Sequence, residues 1–395
     1  RTNQNNCSCD SRFSKLSYSY KITDLKKICL GIFLTASLLV AKAQLPFSLR
    51  YKGMFVLPYN TNVQQTLVGG LSGIDYNAKQ DLYYLICDDR SAINPARFYT
   101  ASIKLSNKGI DTVLIKDVFF LKDAAGQNFP NNQQDKFNVP DPEAMRIAHK
   151  DNLLVWSSEG ERTVNARDTI LSDPAIYVVD RQGGYKSKIA LPDNLRMRVN
   201  EAGPRQNGVL EGMSFHPNGH HLFVSLEEPR YEDGPRADLR DTTAYVRFYD
   251  INWATKKFQG EYAYQLDPVA TAPTPANAFR VNGIPDILSL GNGQFLVIER
   301  SFSTGRIQCT IKVFLADFSK ATDIRNIPSL SANTQFTPAT KKLLLNMDSL
   351  GVFTDNIEGV CWGPKLPNGK RSLIFVSDNN FSPLQQTQLL LFEVD

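Results

Sequence analysis

The sequence predicts an all-β chain folded as a five-bladed β-propeller, with a six-bladed ring as the alternative. Three observations predict it. One short pattern recurs five times at spacings of 71, 68, 75 and 72 residues, a period that marks repeat architectures. Each copy holds short apolar runs rich in Val, Ile, Leu, Phe and Tyr, bounded by turn residues, which is the composition of strands. The last copy lacks a final strand, and an unused candidate, Leu49–Leu57, stands at the other end of the chain. That strand would close the ring and leave no open sheet edge.

In chain order, residues 1–24 are polar, and the first Met of the sequence is Met54. They read as a non-native leader ahead of a translation start at Leu25. Residues 25–43 read as a signal peptide: Lys26 and Lys27, an apolar run over 28–40, then Ala41-Lys42-Ala43 as a small-x-small cleavage site. The run falls short of the ~20 residues a spanning helix needs, so no stable membrane anchor is expected. The mature chain, 44–395, would be one secreted or periplasmic domain.

The five copies begin Ser72-Gly-Ile-Asp-Tyr, Glu143-Ala-Met-Arg-Ile, Glu211-Gly-Met-Ser-Phe, Asp286-Ile-Leu-Ser-Leu and Glu358-Gly-Val-Cys-Trp. Each continues through a turn and an apolar run into acids: Asp88-Asp89, Glu159, Glu227-Glu228, Glu299 and Asp378. Two further strands follow each hairpin, at 98–105 and 112–121, 175–180 and 185–191, 244–250 and 258–266, 310–315 and 341–346. The fifth copy has only 388–394. Stretches 123–142 and 267–282, rich in Asn, Gln, Asp, Pro and Ala, read as loops.

Composition limits the partners. Hydrophobic content of 42% and charged content of 21% belong to a soluble globular chain. A net charge of +4, with no basic run, excludes electrostatic capture of nucleic acid. The mature chain keeps Cys87, Cys309 and Cys361; Cys87 and Cys361 lie in apolar runs and read as buried free thiols. No GxSxG elbow, P-loop or GxGxxG occurs. A monomer is expected.

Strand direction places the candidate chemistry. A residue that starts the first strand of a blade and one that ends the second lie at the same face of the disc. Glu143 should therefore meet Glu159, Glu211 should meet Glu227 and Glu228, and Glu358 should meet Asp378. Ser72 pairs with Asp88 and Asp89, and Asp286 with Glu299. His216, His220 and His221 fall at the opposite face. So many carboxylates cannot all ionise together without a counter-charge. Calcium, with six to eight oxygen ligands, is one answer. Arginines after the acids, at Arg90, Arg162, Arg230 and Arg300, are the other. The structural alternative is that each acid caps backbone donors or pairs with its neighbouring Arg.

The blocks Gly70-Leu-Ser-Gly-Ile, Asp141-Pro-Glu-Ala-Met, Leu210-Glu-Gly-Met-Ser-Phe and Asn356-Ile-Glu-Gly-Val resemble the phytase-like (“esterase-like activity of phytase”) family. So do Trp156-Ser-Ser-Glu-Gly, Ser225-Leu-Glu-Glu-Pro and Val376-Ser-Asp-Asn-Asn. The resemblance implies an exported propeller whose recurring acids serve a phosphoesterase-type activity on a small phosphate ester.

The expected function is a calcium-assisted phosphoester hydrolase. Glu143, Glu211 and Glu358 would be catalytic, with Glu211 accepting the proton. Arg90, Arg162 and Arg300 would grip phosphate, while Asp88, Asp89, Glu159, Glu227, Glu228, Asp286, Glu299 and Asp378 would hold Ca2+. The alternatives are a non-catalytic ligand- or protein-binding propeller with a structural metal, and a lactonase-like propeller.

Overall fold

The computed structural model describes residues 47–240 and 243–395; the expected leader and signal peptide lie outside the described residues. Five antiparallel sheets radiate from a common centre. Blade 1 runs outward through Leu71–Asn77, Leu82–Cys87, Arg97–Ser106 and Gly109–Phe120. Blade 2 is built from Pro142–Ala148, Leu153–Ser158, Ala175–Val179 and Tyr185–Ile189, and blade 3 from Leu210–Phe215, His221–Leu226, Tyr245–Asn252 and Lys257–Gln265. Blade 4 has Ile287–Gly291, Gln294–Ser303, Thr310–Asp317 and Thr340–Asn346. Blade 5 joins Asn356–Trp362, Arg371–Asp378 and Thr387–Val394 to the N-terminal strand. That last pairing runs from Leu49 opposite Val394 to Leu57 opposite Thr387, and it closes the ring.

The apolar runs are continuous, not alternating, because blade faces are buried on both sides. Every residue of Leu82–Cys87 except Leu82 is buried, the pattern of a strand packed between two layers. Each pair of neighbouring blades shares one core. Trp156 stacks on Tyr177 at 4.5 Å between blades 1 and 2, and Phe248, Phe295 and Phe318 cluster between blades 3 and 4. Cys87, Cys309 and Cys361 are free and buried.

Two features depart from the sequence reading. Blade 2 carries an extra hairpin, Glu161–Val164 against Thr169–Ser172, between its second and third strands. In blade 4 the end of the expected loop is a strand, Arg280–Gly283, paired with Arg300–Ser303. Pro285, which has no N–H to give the ladder, separates this strand from Ile287–Gly291, so the innermost position of the blade is interrupted beside Asp286.

The channel is bridged at its centre by one ion pair. The Arg146 guanidinium of blade 2 donates to both Asp286 oxygens, at 2.6 and 2.5 Å, and to the carbonyl of Ile74 in blade 1 at 3.0 Å. Asp286 of blade 4 also accepts from the backbone N–H of Val360 in blade 5 at 2.8 Å and of Met213 in blade 3 at 3.4 Å. All five innermost strands therefore converge on one buried pair. Here the metal expectation for Asp286 is corrected: its lone pairs are already occupied by protein donors. Burial raises its carboxyl to about 6, and Arg146 opposes that rise.

Candidate active site

A local irregularity aims the recurring acids. The innermost strands of blades 1, 2, 3 and 5 each slip register at the start of the pattern, around Ser72, Glu143, Glu211 and Glu358. Such bulges re-aim side chains; here the extra residue faces the channel mouth. The glycine after Glu211 follows from close approach, since a Cβ on Gly212 would fall 2.2 Å from Ser225 Oγ. At Gly359 a Cβ would lie 2.8 Å from Val376 Cγ1 and 3.1 Å from the Gly73 Cα of the next blade. The Glu-Gly dipeptide thus pairs an aimed carboxylate with a strand packed too tightly for any side chain.

The mouth opens into a cavity of about 710 Å³. Glu143, Glu211 and Glu358 all line it, with Asp88, Glu159, Glu227 and Glu228. Oxygen atoms of Glu143, Glu159 and Glu211 lie within 4.8 Å of one another, and so do those of Asp88, Asp141 and Glu143. Glu143 belongs to both groups. Neither the Glu143 nor the Glu211 carboxylate meets a protein donor among the described residues. Blade 1, with Ser72 in place of the acid, supports its neighbour: Ser72 Oγ donates to the Glu143 carbonyl at 2.6 Å.

Burial and like-charge crowding suppress ionisation. Burial, then Asp88 and Glu211, push Glu143 well above the ordinary carboxylate range. Burial, then Glu159 and Glu227, do the same to Glu211. Burial raises Asp141 to about 7 against the pull of Arg90. Glu228 also reaches about 7, through burial and then Glu227, with Arg236 opposing.

Guanidinium groups meet the acids on two sides. Arg300 donates to Glu227 at 2.7 Å and forms an ion pair with Glu358 at 3.0 Å, and Asn356 braces both Arg300 and Glu358. The Arg300 Nε is buried without a hydrogen-bond partner. Arg90 pairs with Glu161 and lies 3.5 Å from Asp141. Arg306 lines the cavity, bonds Thr271 Oγ1 and pairs with no carboxylate among the described residues.

Several expected residues lie elsewhere. Arg162 is outside the cavity, its guanidinium holding the carbonyls of Arg198, Val199 and Asn200 and stacking over Tyr231. Asp89 turns inward to Arg97 at 2.6 Å and caps the N–H groups of Ala92, Ile93 and Asn94. Glu299 accepts from Tyr264, Asn282, Lys341 and the Asp267 N–H. Arg230 is buried on Asp233. Asp378 is buried behind Glu358 and accepts from the Asn380 N–H at 2.7 Å. For these acids the structural alternative describes what they touch. The histidines hold the opposite face, where His149 and His216 line a separate cavity of about 310 Å³.

Sequence reasoning did not nominate Asp141, Asp355, Asn356 or Arg306, all of which line the mouth. Asp141 and Asn356 each stand two residues before a bulged glutamate, so the repeat register could have found them. Arg306 lies in a turn outside the repeat and gave no signal.

A family profile described as “Phytase-like: Esterase-like activity of phytase” matches residues 66–381. An “Uncharacterized secreted protein” of Arthroderma benhamiae is 29% identical over 167 residues, which are 40% of this chain and 30% of that protein. The chain therefore spans less than a third of that curated relative. Among solved structures, an endo-arabinase of Bacteroides thetaiotaomicron is similar at 14% identity and a TM-score of 0.43, over 86% of this chain and 97% of its own. The periplasmic gluconolactonase of Pseudomonas aeruginosa is similar at 11% identity and a TM-score of 0.34, over 82% and 84%.

Proposed function

This chain belongs to the phytase-like (“esterase-like activity of phytase”) family, and on that premise we propose that its acidic mouth hydrolyses phosphate esters with calcium. The observation that carries the reading is that Glu143 is shared by two carboxylate groups whose oxygens lie within 4.8 Å of one another. That spacing is about twice a calcium–oxygen bond, so one hard cation could touch every member of a group. Asp88, Asp141, Glu143 and Glu159 would hold it. When bound, calcium would polarise a phosphoryl oxygen and offset the carboxylate surplus.

The remaining work falls to this chain's residues. Arg306 orients the phosphoryl group, with Arg300 beside it on the lining. Glu211, free of protein donors, accepts the proton of the attacking water as its oxygen bonds to phosphorus. The ester P–O bond breaks, and the leaving alkoxide takes a proton from solvent water, while Glu211 returns its proton to solvent. Glu358, held by Arg300 and Asn356, positions rather than reacts.

The reading includes export, with cleavage after Ala43, and a relative named as secreted supports it. No helix of the described residues is long and apolar enough to cross a membrane. N-terminal sequencing of secreted protein should return Gln44 first.

The test of catalysis is release of phosphate from 4-nitrophenyl phosphate by purified protein, with calcium and with chelator. Turnover in calcium that disappears with chelator and in Glu211→Gln is expected. Calcium binding without turnover would make the mouth a non-catalytic binding site.

A further inference from the structure

Three segments outside the repeated pattern add apolar side chains to the lining of the cavity: the Arg280–Gly283 approach, which carries Phe279, the turn at 304–309, which carries Ile307, and the 379–386 loop of blade 5, which carries Leu384. Ile307 and Leu384 are each 86% exposed and Phe279 is 55% exposed, yet all three line the cavity that holds the carboxylates. Singly exposed apolar residues are ordinary on a surface, but three on the lining of one polar cavity make an apolar patch rimmed by polar groups, the pattern of a ligand-binding groove. Phe302, from the strand paired with Arg280–Gly283, continues the same patch.

The charge balance points the same way. Of the guanidinium groups at the mouth, Arg300 and Arg90 are already shared with carboxylates, leaving Arg306 as the one lining guanidinium without an acid partner among the described residues. Carboxylates dominate the rest of the lining. A densely phosphorylated polyol would bring many negative charges to a site with one unshared guanidinium. A single phosphoryl group would need only that guanidinium and a cation.

We infer that the substrate is a monophosphate ester bearing an apolar group, phosphoryl end at the carboxylates and organic end on Phe279, Ile307 and Leu384, not a polyphosphorylated polyol. Arg306 and Ile307 are adjacent, so one turn presents a phosphoryl contact and an apolar contact side by side. This rests on the reading of the mouth as a phosphate-ester site, and its test is made by binding, which is read separately from turnover.

Phenylphosphonate and methylphosphonate, which cannot be hydrolysed, are titrated calorimetrically into the full mature chain in calcium. Phenylphosphonate should bind about tenfold more tightly, the gain from covering roughly 60 Å² of apolar surface. Ile307→Ser with Leu384→Ser should erase that difference while leaving methylphosphonate affinity unchanged. Both positions are so exposed that folding is not at issue, and Leu114→Ser on the outermost strand of blade 1 serves as the control. The phenyl preference without turnover of any ester would sink the hydrolase reading and leave this one standing. Equal affinity for the two phosphonates, or tighter binding of myo-inositol hexakisphosphate than of either, would overturn the inference whatever the catalysis. Loss of self-association in the Ser variant with unchanged binding would instead make the patch a contact between copies, and that too would overturn it.

Discussion

The centre of the channel and its acidic mouth are both built from buried charge, and they are built on opposite rules. At the centre, Arg146 meets Asp286 one to one, and backbone groups of three other strands complete their hydrogen bonds. At the mouth, a few residues away along the same strands, Glu143 and Glu211 have no protein donor and press against other acids. The same recurring position of the repeat supplies both Asp286 and the mouth glutamates. What separates them is the backbone: a bulge turns Glu143, Glu211 and Glu358 outward, whereas the interruption at Pro285 leaves Asp286 on the axis. An acid in a repeat acquires its role from local geometry, not from its alignment.

The contrast can be broken most forcefully at the centre. Arg146→Met leaves a buried carboxylate without its cation, and about 3–5 kcal/mol of stability should be lost. Urea unfolding would measure it, and a loss below 1 kcal/mol would mean that the pair does not hold the strands together. At the mouth the sign should reverse. Without metal, at alkaline pH where Glu143 is forced to ionise, Glu143→Gln removes a charge that its surroundings oppose, so the chelated variant should melt a few degrees above wild type. A lower melting temperature would show that Glu143 is held by unseen favourable contacts.

The acidity of the mouth sharpens the contrast. Asp141 and Glu228 lie at about 7 in the folded chain, against about 4 for free carboxylates. Between those values the folded state keeps protons that the unfolded state has released, so stability falls as pH rises. Chelated protein should therefore melt several degrees lower at pH 8 than at pH 5, while calcium should narrow the gap from the high-pH side. A flat profile would contradict the crowding. The smallest effect is expected at Arg162, which holds three carbonyls outside the cavity. Arg162→Ala should cost about 1–2 kcal/mol of stability and leave phosphonate affinity unchanged.

The ring was legible because its causes are local and repeated. The apolar runs of Leu82–Cys87 and Leu153–Ser158 are found where the pattern put them, and Leu49–Leu57 closes the fifth blade. The side of the ring carrying Glu143, Glu211, Glu358, Asp88, Glu159, Glu227 and Glu228 was legible too, since strand direction dictates it. The fate of Asp89 and Glu299 was not, because it depends on Arg97 and Lys341, which reach them from third and fourth strands with no fixed spacing. Arg162 looked equivalent to Arg90 by position, but the hairpin at Glu161–Val164 carries it off the mouth. The apolar patch at Ile307 and Leu384 lies in turns that the repeat does not govern.

The central claim is that the mouth is a cation site, and calcium titration calorimetry on metal-stripped protein tests it most directly. The account predicts saturable binding at neutral pH that weakens at pH 5 and is lost in Glu143→Gln but kept in Glu299→Gln. No heat of binding, or binding untouched by Glu143→Gln, would contradict it.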